Sequence, residues 1–207
     1  MSLFEAPPQA EDRRVRRSRT LLFAAAIKLV TERETTAITV SDLADAADVS
    51  RRLIYQQFKD KDSLLLEAGL DFARKAREER RERIGDGPEM ARARLVAMGA
   101  HFAEHRGLYR TMLTGSCAYA FSQALCELFA PGNLQLIRRR YGNELDPDVE
   151  QDLTDYLTGG TAAIVHSWVV SAPDPLDPEM LVHRLGRLLP LVLGPEPASE
   201  ADHTTRQ

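Results

Sequence analysis

Two helix starts stand close together within residues 39–58, and their spacing constrains the fold more than any other feature of the sequence. Thr39-Val-Ser-Asp42 has the pattern of a capping box, in which each end residue accepts a hydrogen bond from the backbone amide of the other. Ser50 is a favourable N-cap for a helix over residues 51–58. Ala47-Asp-Val49 predicts a three-residue turn, because Asp48 is a residue type that tolerates the left-handed conformation. These signals predict a helix-turn-helix.

The remainder of the chain also has the punctuation of helices, without the alternation of apolar and polar residues that is typical of strands. Leu22, Ala26, Leu29 and Val30 form one apolar stripe on a first helix over about residues 18–33. Aromatic residues make up only 6% of the chain, which favours helix over sheet. We therefore predict an all-α fold. After residue 60, helices are predicted over about residues 61–84, 89–104, 107–113, 117–129, 133–141, 148–170 and 179–193, with breaks at Pro131-Gly132 and Gly142-Asn143.

The charge of the chain is distributed unevenly. The whole chain of 207 residues has a formal net charge of −4, which by itself argues against a nucleic-acid-binding protein. Residues 13–62, however, carry 11 Lys and Arg against 7 acidic residues, a net charge of +4, whereas residues 1–12 carry −3 and residues 63–207 carry −5. This split indicates a polyanionic partner for the basic segment alone, although a merely solvated basic face would have the same composition.

Four arginines precede the predicted first helix, at positions 13, 14, 16 and 17. In one interpretation, these arginines form an arm that binds phosphate groups or the minor groove of DNA. In the other, they are a basic leader without a function. On the second helix of the motif, the exposed face is expected to consist of Arg51, Arg52, Tyr55, Gln56 and Lys59. These side chains are of the types that bind guanine and adenine edges or phosphate groups, which indicates double-stranded DNA as the partner.

A wider set of residues extends this pattern, at positions Leu22, Ala25, Ala26, Leu29, Ile38, Thr39, Val40, Leu43, Ala44, Ala47, Asp48, Val49, Ser50, Tyr55, Phe58, Lys61, Asp62, Ser63, Leu64 and Leu65. With these residues, the segment 19–66 resembles the DNA-binding domain of the TetR (tetracycline-repressor) family of transcriptional regulators. The resemblance covers about a quarter of the chain. The remainder is similar to the family in length and helix pattern.

The sequence departs from the family pattern at several positions. Glu34 and Asp48 stand where the family commonly has glycine, so the first loop is expected to cap differently and Asp48 to carry some left-handed strain. In the second helix of the motif, Arg52, Leu53 and Gln57 replace residues that are common in the family. The base preference of a relative therefore does not transfer to this chain.

The resemblance implies a three-helix helix-turn-helix domain at residues 13–62 and a helical effector-binding and dimerisation domain at residues 63–194. The composition of residues 195–207, rich in Pro, Ser, Glu, Asp and Thr, predicts a disordered tail. The resemblance also implies a homodimeric repressor that is released from a palindromic operator by an apolar small-molecule effector, without a cofactor or a metal. The expected DNA-binding residues are Thr39, Ser50, Arg51, Arg52, Tyr55, Gln56, Lys59 and Lys61. The candidate residues for an effector pocket are Phe102, Tyr109, Met112, Leu113, Tyr119, Phe121, Leu125, Ile164 and Trp168, together with Leu108.

Several features of the C-terminal half leave two readings open. Leu181, Leu185, Leu188, Leu189 and Val192 form a stripe that would pack either against a second copy of the chain or in the chain's own core. Gly159-Gly160 in mid-helix indicates close approach by a ligand or by a partner helix, and we favour the helix. His101 and His105 have the spacing of two metal ligands, but no third ligand has suitable spacing, which favours a half-exposed pair.

Other classes of function have less support from the sequence. A nucleophilic cysteine of an enzyme would be expected in a glycine-rich turn with a histidine as base. Neither Cys117 nor Cys126 has such a motif, so we expect no catalytic activity. A C-terminal domain that docks a protein instead of a small molecule remains an alternative. The first 12 residues lack the apolar stretch of a signal peptide, and the apolar runs are too short to cross a membrane, which favours a cytoplasmic location.

Overall fold

The computed structural model of the chain describes residues 8–85, 87–142 and 144–194. Within these ranges the protein consists of helices and contains no strand, so the predicted all-α fold class is confirmed. The predicted tail at residues 195–207 lies outside the described residues. The helices are α1 (Pro8–Arg33), α2 (Val40–Ala47), α3 (Arg51–Gln57), α4 (Lys61–Ile84), α5 (Ala91–Glu104), α6 (Arg106–Thr114), α7 (Ala118–Tyr141), α8 (Pro147–Ser171) and α9 (Pro178–Leu193), with a 3₁₀ turn at Pro88–Met90.

The chain forms two compact units, residues 1–125 and residues 126–207, which divide within α7. The first unit therefore contains the predicted DNA-binding domain together with α4 to α6. The domain boundary predicted after residue 62 coincides with no interruption of the chain, because α4 continues unbroken from Lys61 to Ile84. That boundary stays a prediction. Among the helices described, none is both long enough and apolar enough to span a membrane.

In the first unit, α1 packs against α2, α4 and α6 through the apolar stripe predicted from the sequence. Leu22, Ala26, Leu29 and Val30 are all buried. Full burial of an aliphatic side chain of this size contributes about 1.5–3 kcal/mol, so the stripe is a major source of stability for α1. The side chains of Met112 and Phe121 pack closely against α4 at Gly69, where an added Cβ atom would be only 2.9 Å from each of them.

The predicted start of α1 is wrong. The helix begins ten residues before Ser18, and the four arginines at positions 13, 14, 16 and 17 lie within it instead of preceding it. The reason is local: Pro8 fits the first helical turn, and neither glycine nor proline interrupts residues 9–33.

The break predicted at Pro131-Gly132 is also wrong, because α7 continues through both residues to Tyr141. Proline removes one backbone donor from a helix, a local cost that tertiary contacts can exceed. Here the segment after the proline is held by such contacts. Asn133 Nδ2 donates to Thr158 Oγ1 of α8 at 2.9 Å, and the Ile137 side chain is fully buried.

The second unit consists of the end of α7 with α8 and α9. Its core contains Ile137, Leu157 and Leu193, with Leu189 and Val192 among the partly buried residues packed against it. Both long helices begin with aspartate caps. Asp146 accepts from the amide of residue 148 and Asp177 from that of residue 179, each followed by proline at the start of the helix.

The loop after α1 keeps the backbone conformation for which the family commonly uses glycine. Glu34 has a φ of 48°, in the left-handed region, so the expectation that this loop caps differently is wrong. Asp48, in the later turn, has a φ of 51° and a ψ of 50°, as predicted. The left-handed conformation costs a residue with a Cβ atom roughly 1–2 kcal/mol.

We expect Glu34→Gly to raise the free energy of unfolding by up to about 1 kcal/mol, since the relief of left-handed strain exceeds the added entropy of the unfolded chain. Urea or thermal unfolding measures the change. Glu34→Ala is the matched control, because it removes the same carboxylate but keeps the Cβ atom, and it should give no stabilisation. Equal effects of glycine and alanine would show that the backbone at this position is not strained.

Candidate nucleic-acid interface

The first helix of the helix-turn-helix, α2, is fixed by the predicted capping box. Thr39 Oγ1 accepts from the amide of Asp42 at 3.0 Å, and the amide of Thr39 donates to Asp42 Oδ2 at 3.0 Å. The Arg33 guanidinium donates to the other carboxylate oxygen of Asp42 at 3.0 Å. The hydrogen bonds from Arg33, followed by those from Thr39, hold the pKa of Asp42 far below its usual range. The carboxylate therefore stays ionised and keeps the start of α2 tied to the end of α1.

The turn between α2 and α3 also has the predicted form. The amide of Val49 donates to the carbonyl of Ala44 at 3.0 Å, and the amide of Asp48 donates to that of Asp45 at 3.3 Å. Ser50 then caps α3, since its Oγ accepts from the amide of Leu53 at 3.2 Å.

The two faces of α3 differ sharply in exposure. Ile54 and the C-cap residue Phe58 are buried on the inner side. The Tyr55 side chain, by contrast, is 61% exposed. The exposed residues Arg51, Arg52, Tyr55, Gln56 and Lys59 are hereafter called the recognition face. The structure therefore displays together five of the eight predicted DNA-binding side chains.

An arginine that sequence reasoning overlooked fixes the end of α3. The Arg19 guanidinium lies 5.2 Å from the ring centroid of Phe23 and 4.9 Å from that of Phe58, and it forms an ion pair with Glu67 of α4. Gln57 Nε2 also donates to Ser18 Oγ of α1 at 2.7 Å. These contacts join α1, the end of α3 and α4. No spacing in the sequence indicates them, because Arg19 and Glu67 are 48 residues apart.

Lys61 is placed differently from the recognition face. Its Nζ donates to the carbonyl oxygen of Thr36 at 2.9 Å and lies 2.7 Å from Asp62 Oδ1, and its side chain is only 25% exposed. The Asp60 side chain caps α4 by accepting from the amide of Ser63 at 2.7 Å, so that amide of the first turn is already occupied. A phosphate group at the start of α4 would therefore meet an ammonium group that already has partners within the protein.

The predicted effector-pocket residues fall in both units. Phe102, Leu108, Tyr109, Met112, Leu113 and Phe121 are buried in the first unit, and Leu125 is partly buried. Tyr119 does not share this interior, because its side chain is 79% exposed and its hydroxyl accepts from Gln123 Nε2 at 3.1 Å. In the second unit, Trp168 is buried and Ile164 partly buried. Whether any of them touches an effector stays a prediction.

A buried histidine lies among the aromatic residues of the first unit. His101 Nε2 and the Tyr109 hydroxyl are 2.9 Å apart, and the His101 ring lies 5.2 Å from that of Phe72 and 4.7 Å from that of His105. The expected half-exposed histidine pair is therefore wrong for His101, because aromatic packing encloses it. In the described ranges, no group of three or more metal-ligating side chains is found.

This histidine is neutral at ordinary pH. Burial, followed by the positive charges of Arg80 and His105, lowers the pKa of His101 to about 3, while burial raises the pKa of Tyr109. The pair is thus a neutral hydrogen bond inside an aromatic cluster. Such a group can orient a polar atom of a ligand without attracting a charge.

The comparison with family models agrees with this geometry. The family described as bacterial regulatory proteins, tetR family, matches residues 22–68, which run from the middle of α1 into α4. Residues 22–68, about a quarter of the chain, thus match this family. The match supports a helix-turn-helix DNA-binding segment of the kind found in transcriptional regulators. None of the curated proteins matches the chain.

Solved structures of TetR-family proteins resemble this chain over most of its length. Thermus thermophilus FadR, a TetR-family transcriptional repressor in complex with lauroyl-CoA, is 24% identical; the match covers 87% of this chain and 98% of that chain, with a TM-score of 0.62. The repressor AlkX from Dietzia sp. strain DQ12-45-1b, implicated in biodegradation of n-alkanes, is 22% identical over 84% of this chain and 94% of that chain, with a TM-score of 0.58. A regulator from Streptococcus agalactiae 2603V is 19% identical over 88% and 99%, with a TM-score of 0.58. At these identities the likeness establishes the fold.

The buried His101 predicts a loss of stability in acid. Its pKa in the folded protein is about 3 and that of an unfolded chain about 6.5, so below pH 6.5 the unfolded state binds a proton that the folded state does not. Stability is therefore lost as the pH falls through this window. Between pH 7 and pH 5 we expect His101→Gln to remove about 2 kcal/mol of the pH-dependent change in unfolding free energy.

Urea unfolding at the two pH values measures this difference. The control is His183→Gln, which removes an exposed histidine of α9 and should leave the pH dependence unchanged. An unaltered pH dependence in His101→Gln would contradict the assignment of a buried, neutral histidine.

Proposed function

We propose that this protein is a homodimeric repressor of the TetR family that binds a near-palindromic operator. It leaves the operator when a small molecule binds to the helical region at residues 63–194. The observation that carries the proposal is the recognition face on α3, where hydrogen-bond donors are exposed on a helix whose opposite side is anchored in the core. Two such helices related by a two-fold axis would enter successive major grooves about 34–36 Å apart. Action on DNA implies a cytoplasmic location.

The proposed roles follow from the chemistry of each side chain. Arg51 and Arg52 can bind guanine O6 and N7 in a bidentate manner, and Gln56 can bind adenine. The Tyr55 hydroxyl and the Lys59 ammonium group are assigned to phosphate groups. Thr39 and Ser50 already cap their own helices, so at these two positions we propose contact with phosphate through the start of α2 and of α3. Lys61 is considered separately below.

We expect Arg52→Ala to weaken operator binding by about 5- to 150-fold, the loss of one bidentate base contact of roughly 1–3 kcal/mol. Tyr55→Phe, which removes one phosphate contact, should weaken binding by a smaller factor and equally for all sequences. The measurement is fluorescence anisotropy with DNA from immediately upstream of the protein's own gene, titrated with salt.

Arg139→Ala, which removes an equally exposed arginine of α7, is the matched control for net charge and should leave the affinity unchanged. If Arg52→Ala and Tyr55→Phe both bind as the unmodified protein does, the recognition face is assigned to the wrong residues. If the unmodified protein binds this DNA no better than an unrelated duplex, the upstream region is not its operator.

The proposed dimer interface is the exposed side of α8 and α9, and it differs from the predicted leucine stripe. Leu181 and Leu185 of that stripe are buried within the chain, and Leu189 and Val192 pack against the core of their own unit. Only Leu188 is exposed. A different set of residues forms the exposed apolar and small-residue surface: Tyr156, Gly159, Gly160 and Ala163 on α8, with Met180, Leu188 and Leu191 on α9.

The two glycines of α8 support close approach by a second helix. Both Gly159 and Gly160 are exposed, and a Cβ atom added to either would meet nothing within 4 Å. No contact inside the chain therefore explains why glycine stands in mid-helix, where it costs about 1 kcal/mol relative to alanine. A partner helix seated on this surface would explain it.

We expect Gly160→Leu to weaken dimerisation by at least tenfold, since the new side chain would separate the two copies. In the monomer leucine favours the helix, so the stability of the subunit itself should not fall. Sedimentation equilibrium measures the dimer dissociation constant. Gly107→Leu is the matched control, because Gly107 is also an exposed helical glycine with open space around it. Equal dissociation constants for the two variants would place the interface elsewhere.

Effector binding is proposed for the buried aromatic interior around Tyr109. The neutral pair of His101 and Tyr109 among Phe72, Phe102 and Phe121 favours a largely apolar ligand with one hydrogen-bonding atom. The FadR structure, which contains lauroyl-CoA, makes long-chain acyl compounds the first candidates. Calorimetry with such compounds separates this proposal from the alternative in which the C-terminal region docks a protein, because a fully packed interior would take up none of them.

A further inference from the structure

Four side chains from three segments of the first unit meet around Lys61, and we call this cluster the Lys61 junction. Thr36 lies in the loop between α1 and α2, Lys61 and Asp62 begin α4, and Ser116 lies in the loop between α6 and α7. Lys61 Nζ donates to the Thr36 carbonyl at 2.9 Å, and Ser116 Oγ donates to Asp62 Oδ1 at 2.6 Å. Asp62 Oδ1 also lies 2.7 Å from Lys61 Nζ. The loop of Ser116 is thereby connected to a predicted DNA-binding lysine.

The loop between α6 and α7 is seated tightly on Thr36. The amide of Ser116 donates to Thr36 Oγ1 at 3.0 Å, and Thr36 is itself buried. A Cβ atom at Gly115 would lie 2.8 Å from the carbonyl oxygen of Thr111 and still closer to the side chain of Thr36. Glycine at this position therefore allows the loop to approach, and the position of Ser116 relative to Asp62 is fixed by backbone contact.

The charges at the junction bear directly on DNA binding. Lys61 is the only predicted DNA-binding residue whose cationic group is paired with a carboxylate in the described part of the chain. Because the Lys61 ammonium group donates to the Thr36 carbonyl and to Ser116 Oγ at 3.4 Å and is paired with Asp62, a phosphate that approaches Lys61 must replace Asp62 or share the cation with it. The displaced carboxylate would then stand next to the phosphate, where like charges repel.

We propose that Asp62, held in place by Ser116, competes with DNA phosphate for Lys61, so that the loop between α6 and α7 sets the contribution of this lysine to DNA affinity. The inference rests on the proposed function, because it requires that the start of α4 faces DNA. Asp62 and Ser116 are positioning residues in this scheme, and neither touches the DNA. Any rearrangement of the loop changes the strength with which Asp62 is held, which provides a route from the effector-binding region to the DNA-binding domain.

The test uses the full-length protein and a 30-base-pair duplex of mixed sequence that lacks the operator. Affinity for such a duplex depends on phosphate contacts, and the slope of log K against log salt changes by about 0.9 for each phosphate neutralised. We expect Asp62→Asn to bind this duplex 3- to 10-fold more tightly at low salt, with a slope steeper by about 0.9, because Lys61 no longer exchanges one anion for another.

Ser116→Ala reports whether the loop acts through Asp62. It should raise the affinity by a smaller factor than Asp62→Asn does, since it releases the carboxylate without removing it. Added to Asp62→Asn, the same substitution should have a much smaller effect, because only the long contact of 3.4 Å between Ser116 Oγ and Lys61 Nζ is then lost. Thermal unfolding of each variant checks that the protein remains folded at the temperature of the titration.

Asp45→Asn is the matched control, because it removes one negative charge from α2, in the same domain, with no lysine beside it. If Asp45→Asn and Asp62→Asn raised the affinity for the duplex equally, the change in net charge alone would explain the increase, and the proposal would be overturned. An unchanged salt slope in Asp62→Asn, or equal effects of Ser116→Ala with and without Asp62, would also overturn it. These outcomes are independent of operator recognition, which the Arg52→Ala experiment tests, whereas failure of the unmodified protein to bind any duplex would remove both proposals.

Discussion

The orientation of α3 depends on the contact of Arg19 with Phe58 and Glu67. With seven residues, α3 is too short to be stable alone, so its position must come from tertiary contacts. Ile54 anchors its middle, while the Arg19 guanidinium packs against the ring of Phe58 and pairs with Glu67 of α4. Arg19 belongs to α1, the helix whose apolar stripe lies in the core of the domain. The recognition face is therefore exposed because the buried contacts of Ile54 and Phe58 hold the opposite side of α3 against the domain.

The features that were predicted correctly are local in sequence. The capping box of Thr39 and Asp42, the left-handed Asp48 and the cap at Ser50 each depend on residues no more than a few positions apart, so their physical chemistry can be read directly. Here the structure confirmed the predictions because neighbouring residues decide the backbone conformation.

Apart from the start of α1, which has a local cause, the features that were missed depend on contacts between distant segments. Helical packing around Asn133 and Ile137 carried α7 through Pro131, against the local preference. Thr36 and Ser116 are 80 residues apart, and no periodicity links them. The leucine stripe of α9 was visible in the sequence, but whether it packs within the chain or against a second copy is decided by the position of α7 and α8. Such alternatives could not be separated before the structure was known.

Charge pattern and structure together bear on how this regulator would distinguish its operator from other DNA. The net charge of the whole chain is −4, and its basic residues are concentrated in positions 13–62, which limits phosphate contacts to one part of the protein. Within that part, Asp62 already neutralises Lys61, and Asp42 neutralises Arg33. Under the proposed function, these two ion pairs would lower the non-specific affinity for DNA, which depends on unpaired cations. The arginines of the recognition face have no such partner in the described residues, and they are placed where base edges would be read. In the proposed scheme, discrimination between sequences rests on α3, because Lys61 and Arg33 are already paired with the protein's own carboxylates.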